Sequence, residues 1–381
     1  MVQNRKAAWT FLSGESGPEV LGLHSSVVLG FLEEAEPWRL QSPQFPSKVG
    51  GKPAWLSQRG LPLQSDLECE KCGLPMVFLL QVYAPISGQD RSFHRTLFLF
   101  CCKTPECYSH NDSRCFKVFR SQLPRKNEFY SYDPPPDDEP QTVSKEDDSI
   151  LSVSGVKLCW VCGCPGNKAC SRCHSVTYCG KHHQTVHWKH SHKKECLSAA
   201  LPSAAASPFL FPESELVTEP EEGGEERDDA QRGGGGEEEQ RSTEDPSLAD
   251  TLAEADLEEM ALHETEDNKV FQRFKKKIAS EPHQMIRYSR GGRPLWVSSG
   301  HVPADEDIPP CTCGANRTFE FQVMPQLLNS LCVDSTGASI DWGTVTVYTC
   351  SASCNHGDQY RLEFVWKQDF SADQLTQHRN T

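Results

Sequence analysis

GGKPAWLSQRGLP, from Gly50 to Pro62, returns as GGRPLWVSSGHVP from Gly291 to Pro303. One shift of 241 positions relates Gly50 to Gly291, Trp55 to Trp296, Cys72 to Cys313 and Gln81 to Gln322. A constant shift over that length marks one unit written twice. Downstream it becomes 248 at Cys102 and Cys350, then 247 at Cys107 and Cys354 and at Val118 and Val365, as one loop insertion and one small deletion would produce. Runs of Val, Phe and Leu predict strands over 76–83, 96–102 and 116–119 in the first copy. The second copy predicts them over 318–323, 344–349 and 360–366. The expected fold is therefore mainly β (α+β): a duplicated zinc-stapled β unit whose two halves meet as one body, interrupted in sequence by an insert.

The net charge of -15 misleads as an average. Glu213 to Asp267 holds 22 acidic and three basic residues, so the acidity is one segment. Eighteen cysteines in a chain of 381 residues with no plausible export signal read as thiolate metal ligands in a reducing compartment, not as a disulfide scaffold. The apolar stretch from Val20 to Leu32 is too short to span a bilayer, so no membrane partner is expected. The expected placement is cytoplasm and nucleus, extending to the nucleolus.

Along the chain, the expected organisation begins with an unassigned extension over 1–32, a first β unit over 33–132 and a Pro/acidic linker over 133–155. A cysteine and histidine cluster follows over 156–198, then an acidic disordered linker over 199–246 and a helical segment over 247–290. A second β unit over 291–370 and a tail over 371–381 complete the chain. Within the helical segment the periodicity predicts a helix over 247–277, with Val270, Phe271, Phe274 and Ile278 on one face. Ser280, Glu281 and Pro282 predict the start of a second, short helix.

Cys159-x2-Cys162, Cys170-x2-Cys173, Cys179-x3-His183 and His192-x3-Cys196 place eight zinc-type ligands within 38 residues, as two tetrahedral sites require. A finger of this size has too small a core to fold without metal. Each β unit adds four cysteines: Cys69, Cys72, Cys102 and Cys107 in the first, and Cys311, Cys313, Cys350 and Cys354 in the second. A zinc in each would staple the end of a small sheet. Cys101 competes with Cys102 there, Cys164 is a bystander, and Cys115 and Cys332 are expected to be buried and unreactive. The four-ligand sites leave no open position for a catalytic zinc, and His94 and His110 read as structural or surface residues, so no enzyme is expected.

The run TYCGKHHQTVHWKHSHKKEC, from Thr177 to Cys196, resembles the MYND zinc finger. That resemblance implies interleaved sites, Cys159, Cys162, Cys179 and His183 in one and Cys170, Cys173, His192 and Cys196 in the other. It also implies binding of partner peptides, with His187, Trp188 and Lys189 as the contact residues. The runs PSKVGGKPAWL, FLLQVYAPISG, FLFCC and QLPRKNEFYSY, with RYSRGGRPLW, FEFQVMPQLLN, DWGTVTVYTC and EFVWKQD, resemble the programmed cell death protein 2 family. That resemblance implies a dedicated chaperone or adaptor for a newly made, basic 40S ribosomal protein, serving 40S subunit biogenesis. The other reading is a nuclear adaptor whose MYND finger recruits transcriptional regulators, linked to proliferation and apoptosis. No recognition helix for sequence-specific DNA binding is evident. Candidates for the client surface are the residue pairs present in both copies: Trp55 and Trp296, Phe78 and Phe319, Phe119 and Trp366. Most of these also read as core.

Overall fold

The computed structural model describes residues 27–139, 155–196, 207, 209–222, 265–333, 339–355, 357 and 359–371. Most of the N-terminal extension, the centre of the Pro/acidic linker, the acidic stretch 223–246, the first half of the expected helix and the tail from 372 lie outside the described residues. In chain order the strands are β1 (Val28–Glu33), β2 (Lys48–Val49), β3 (Val77–Tyr83), β4 (His94–Cys101) and β5 (Phe116–Leu123). A hairpin of β6 (Lys168–Ala169) and β7 (Thr177–Tyr178) follows, then β8 (Ser214–Pro220). The second copy supplies β9 (Ile286–Tyr288), β10 (Arg317–Val323), β11 (Thr344–Cys350), β12 (Arg361–Leu362) and β13 (Phe364–Gln368).

Eleven of these strands form one antiparallel sheet in the order β12-β5-β4-β3-β2-β8-β1-β9-β10-β11-β13. Its two ends are a single stretch of chain. Leu362 pairs with Phe119 of β5, whereas Trp366 pairs with Thr346 of β11. Glu363 is the switch between them, its N–H donating to Val118 O at 2.9 Å. The predicted continuous strand over 360–366 is thus split, because its two parts serve opposite ends of the sheet. The sheet curls into a near-barrel, which removes the open edges that would otherwise invite pairing with other chains.

The two halves form one body. Between them lie β1 and β8, which pair in register from Val28↔Pro220 to Glu33↔Glu215. This corrects the disordered assignment of 199–246: Ser214–Pro220 is a strand, with β2 on its other side. Its two glutamates, Glu215 and Glu219, among the flanking acids hid it from composition. Two neighbouring backbones satisfy its hydrogen bonds, and Leu216 is buried. Residues 28–32, left unassigned from sequence, are likewise a strand because β8 and β9 flank them.

The duplication is visible at atomic detail. Both copies place a register shift at the same point, between Phe78 and Leu80 and between Phe319 and Phe321. Two residues on, Gln81 Oε1 accepts from Ala54 N at 2.9 Å and Gln322 Oε1 accepts from Leu295 N at 2.6 Å. Each glutamine therefore pins the backbone just before the repeated tryptophan.

The helix over Glu266–Ser280, α2, follows the expected apolar face. Thr265 caps it by accepting from Asn268 N, while Phe271 and Phe274 pack with Val297 and Met324. The second short helix does not form. Glu281 ends α2, its N–H bonding Ile278 O, and the chain enters β9 five residues later.

Candidate metal centres

Four tight turns build the sites. At Cys69, Cys159 and Cys170 the first cysteine's carbonyl accepts from the residue four positions on: Gly73 at 2.8 Å, Gly163 at 2.8 Å and His174 at 2.9 Å. These acceptance turns need a left-handed residue, with φ of 69° at Gly73, 70° at Gly163 and 55° at His174. At Cys311 the loop is one residue shorter and Gly314, φ 88°, donates instead. That accounts for the single-residue spacing of Cys311 and Cys313.

The turns gather four groups: Cys69, Cys72, Cys102 and Cys107; Cys159, Cys162, Cys179 and His183; Cys170, Cys173, His192 and Cys196; and Cys311, Cys313, Cys350 and Cys354. In each, the four ligand atoms lie within 4.8 Å of one another. Two thiolates about 2.3 Å from a shared zinc at the tetrahedral angle sit about 3.8 Å apart. The sulfur pairs match: 3.6 Å for Cys72 and Cys102, 3.9 Å for Cys162 and Cys179, 4.0 Å for Cys170 and Cys196, 3.5 Å for Cys311 and Cys354. These separations are far too long for disulfides. His183 turns Nδ1 toward Cys159 and Cys179, and His192 turns Nε2 toward Cys173. The donor sets suit zinc in all four groups.

The finger's helix α1 (Lys181–His187) begins two residues after Cys179, so that cysteine and His183 lie one turn apart. A wider turn over Trp188–His192 continues it and brings His192 and Cys196 to the other site. His187 is not a surface contact residue. It is buried, bonded through Nδ1 to the Tyr178 hydroxyl at 2.9 Å and stacked on His192. Trp188 is half-buried with its edge toward His192, and Lys189 is exposed.

Among the competing cysteines, Cys102 joins a site while Cys101 is buried, its thiol pushed up by that burial. Cys115 is buried with its thiol raised to about 12 for the same reason. Cys332, expected to be buried, is exposed, because it lies in the turn that follows Leu327–Ser330, where its φ is 52°. His94 is wholly buried between Phe45 and Tyr83, and His110 is exposed.

What sequence reading missed is how the finger sits. Trp55 Nε1 donates to Gly163 O in the first finger turn at 2.8 Å, and Lys52 Nζ lies 5.3 Å from the Trp160 ring centre. From the other side Phe209 packs edge-on to His183, with ring centres 4.1 Å apart, and Lys103 Nζ donates to Phe209 O. The finger is therefore docked on the first half. The only signal for this was the repeated motif containing Lys52 and Trp55.

Three family models match: the programmed cell death protein 2 N-terminal domain over 26–137, its C-terminal putative domain over 268–369, and the MYND finger over 159–196. Programmed cell death protein 2 of Bos taurus is 49% identical over 351 residues, covering 90% of this chain and 96% of the relative. The chain belongs to the programmed cell death protein 2 family. Human programmed cell death protein 2-like is 28% identical over 88% of this chain and 91% of its own length. A more distant relative, the probable 20S rRNA accumulation protein 4 of Schizosaccharomyces pombe, is 34% identical over 98 residues, 23% of this chain and 24% of its own length. No solved structure matches. The N- and C-terminal family models fall on the two halves of the near-barrel, and the MYND model spans the two interleaved sites, so this member of the programmed cell death protein 2 family binds zinc through its finger.

Proposed function

We propose that the protein is a non-catalytic, zinc-held chaperone for a newly made basic protein of the 40S ribosomal subunit, acting in the cytoplasm and nucleus, including the nucleolus. The observation that carries this reading is the likeness to a relative named for 20S rRNA accumulation. A second feature agrees with it. Residues 223–264 hold fifteen acidic and three basic residues, and they follow directly from β8, which lies between the two halves. A ribosomal protein without RNA carries unneutralised positive charge, and such a segment can occupy that surface reversibly. Sites with four protein ligands are of the structural kind, which supports a role without catalysis.

The test is co-expression with tagged full-length chain and zinc retained throughout. One basic 40S protein should be recovered in equimolar amount, and deletion of 223–246 should lower its solubility. The deletion must begin after Glu222, since Ser214–Pro220 belongs to the sheet. Charge reversal at the exposed Lys189 and Lys193 probes the MYND-adaptor reading without exposing Trp55. Loss of all partners on that reversal, with no ribosomal protein recovered, would sink the chaperone proposal.

A further inference from the structure

Arg120 in β5 and Lys367 in β13 are one position of the repeat, at the shift of 247 that also relates Cys107 to Cys354 and Val118 to Val365. Both cations are buried, and each reaches into the other copy. Arg120 Nη1 donates to Cys354 O at 3.1 Å, and its Nη2 donates to Cys354 Sγ at 3.6 Å. Lys367 Nζ donates to Ser109 O, two residues beyond Cys107, at 3.2 Å. The next equivalent pair, Gln122 and Asp369, repeats the crossing: Gln122 Nε2 donates to Ser353 O at 3.2 Å, and Asp369 Oδ2 accepts from Asn111 N at 2.7 Å. The last strand of each copy thus grips the loop at the last zinc-type cysteine of the other.

The crossing is not symmetrical, and the difference singles out the second-copy site. Of the two cations, Arg120 reaches a ligand sulfur and Lys367 stops at a main-chain oxygen. Arg120 Nε also donates to Glu363 Oε1 at 2.7 Å, at the residue where the chain passes from β12 to β13. Glu363 Oε2 accepts from Cys350 N at 3.2 Å and from Arg317 Nε at 3.0 Å. Arg317 Nη1 in turn donates to Pro309 O and Pro310 O, immediately before Cys311, at 2.6 and 3.1 Å. One buried Arg120–Glu363–Arg317 cluster therefore touches the chain at Cys311, Cys350 and Cys354 and also holds the closing seam of the sheet.

The chemistry of the site calls for such a neighbour. Four thiolates around one Zn2+ leave a net charge of about -2, which a guanidinium donating to one sulfur offsets and orients. Arg120 has the converse need, since a buried cation is stable only beside partners of this kind. We propose that Arg120 is a positioning residue of the Cys311, Cys313, Cys350 and Cys354 zinc site, and that this site is the clasp of the near-barrel, so that its zinc and the seam between β5 and β12 are held together. Coupling of this sort is reciprocal: zinc steadies the seam by the factor by which the seam retains zinc. The proposal does not rest on the ribosomal reading, since it concerns how the body closes and not what it carries.

The test uses the full-length, zinc-loaded chain with two readouts. In hydrogen exchange, Cys313→Ser should speed both partners of the seam, 118–122 and 360–364, at least about tenfold, while 77–83 and the finger stay slow. Cys72→Ser, which empties the first-copy site, should leave 360–364 slow. In zinc transfer to 4-(2-pyridylazo)resorcinol, Arg120→Met should release one ion at least about tenfold faster than the parent chain. Maleimide labelling read by mass spectrometry should place that release at Cys311, Cys313, Cys350 and Cys354. Arg120→Lys, which keeps the charge and a donor, should recover part of the difference, and it carries the test if Arg120→Met fails to fold. Faster exchange confined to 309–316 and 349–354, with 118–122 still slow, would overturn the proposal. Zinc release unchanged in both Arg120 variants, or quickened equally at all four sites, would overturn it as well.

Discussion

Arg95 in β4 and Glu320 in β10 meet as a fully buried two-point ion pair, with Nη2 to Oε2 at 2.7 Å, although their strands are not neighbours in the sheet. The contact therefore joins the first copy to the second across the body. Glu320 occupies the register shift of β10, where the first copy has the buried Leu79. Its other partners are the Tyr288 hydroxyl at 3.0 Å, the Thr349 hydroxyl and Arg290, whose Nε lies 3.8 Å from Oε2. Burial alone would push this carboxyl up, but the Arg95 charge and hydrogen bonds outweigh it and hold it below its usual range.

Removing one member should cost more than removing both. Glu320→Leu leaves the guanidinium of Arg95 buried and uncompensated, and should lower stability by about 3–5 kcal/mol. Arg95→Met combined with Glu320→Leu should recover most of that loss. Urea unfolding of the two single variants and the double variant measures the difference. Equal losses in single and double variants would show that the pair does not join the halves.

His94 makes a pH prediction. Burial, with the Arg125 charge adding to it, lowers its pKa from 6.5 to about 4. The unfolded chain takes up a proton near pH 6.5 while the folded chain resists it until about 4. Stability is thus complete above pH 6.5 and declines as pH falls toward 4, by at most about 3 kcal/mol. His94→Phe should flatten the decline between pH 6.5 and 4.5, read from melting temperatures. A slope unchanged by the substitution would assign the acid sensitivity to other groups.

The metal content of the intact chain should be four zinc ions, one for each group of four ligands. Cys72→Ser or Cys313→Ser should each remove one ion and leave the finger folded. Cys159→Ser should release the metal of the first finger site and loosen the turn that Trp55 holds. Cys101→Ser, Cys164→Ser and Cys332→Ser should all retain four. Elemental analysis after gel filtration decides, and a content of two would restrict zinc to the finger.

Much of this architecture was legible because the repeat is chemical as well as statistical. Gln81 and Gln322 align at one shift because each does the same work on one backbone position. Likewise Cys-x2-Cys-Gly at Cys69 and Cys159 announces a turn that requires a left-handed glycine. Strand β8 was not legible, since Glu215, Glu219 and the neighbouring run of acids read as solvated chain. It becomes a strand only because β1 and β2, distant in sequence, flank it. The closing seam at Glu363 was hidden for a related reason, as nothing local distinguishes a strand that changes partner.

Strand β8 should consequently behave as structure and the residues after it as an appendage to the fold. Leu216→Asp places a charge at a buried position between the halves and should unfold the body, at a cost of several kcal/mol, about 3 or more. Deletion of 223–246 should leave the melting temperature of the body within about 2 °C of the parent chain. Calorimetry of both proteins tests the contrast. A deletion as damaging as Leu216→Asp would show that the acidic stretch supports the sheet.

The docking of the finger should be separable from its zinc. In Trp55→Phe the ring still packs on Phe98 and Tyr360, while the hydrogen bond to Gly163 O is lost. That loss should weaken the interface by about 1 kcal/mol, roughly a fivefold rise in local opening. Gly163→Ala should be worse. Its φ of 70° strains any side chain, and the new Cβ would lie 2.9 Å from that of Lys52. Hydrogen exchange over 157–166 should quicken in both variants while exchange in β3 and β4 stays slow and the zinc content is unchanged. Exchange that quickens equally in the finger and in β3 would mean that the finger is part of the body's own cooperative core.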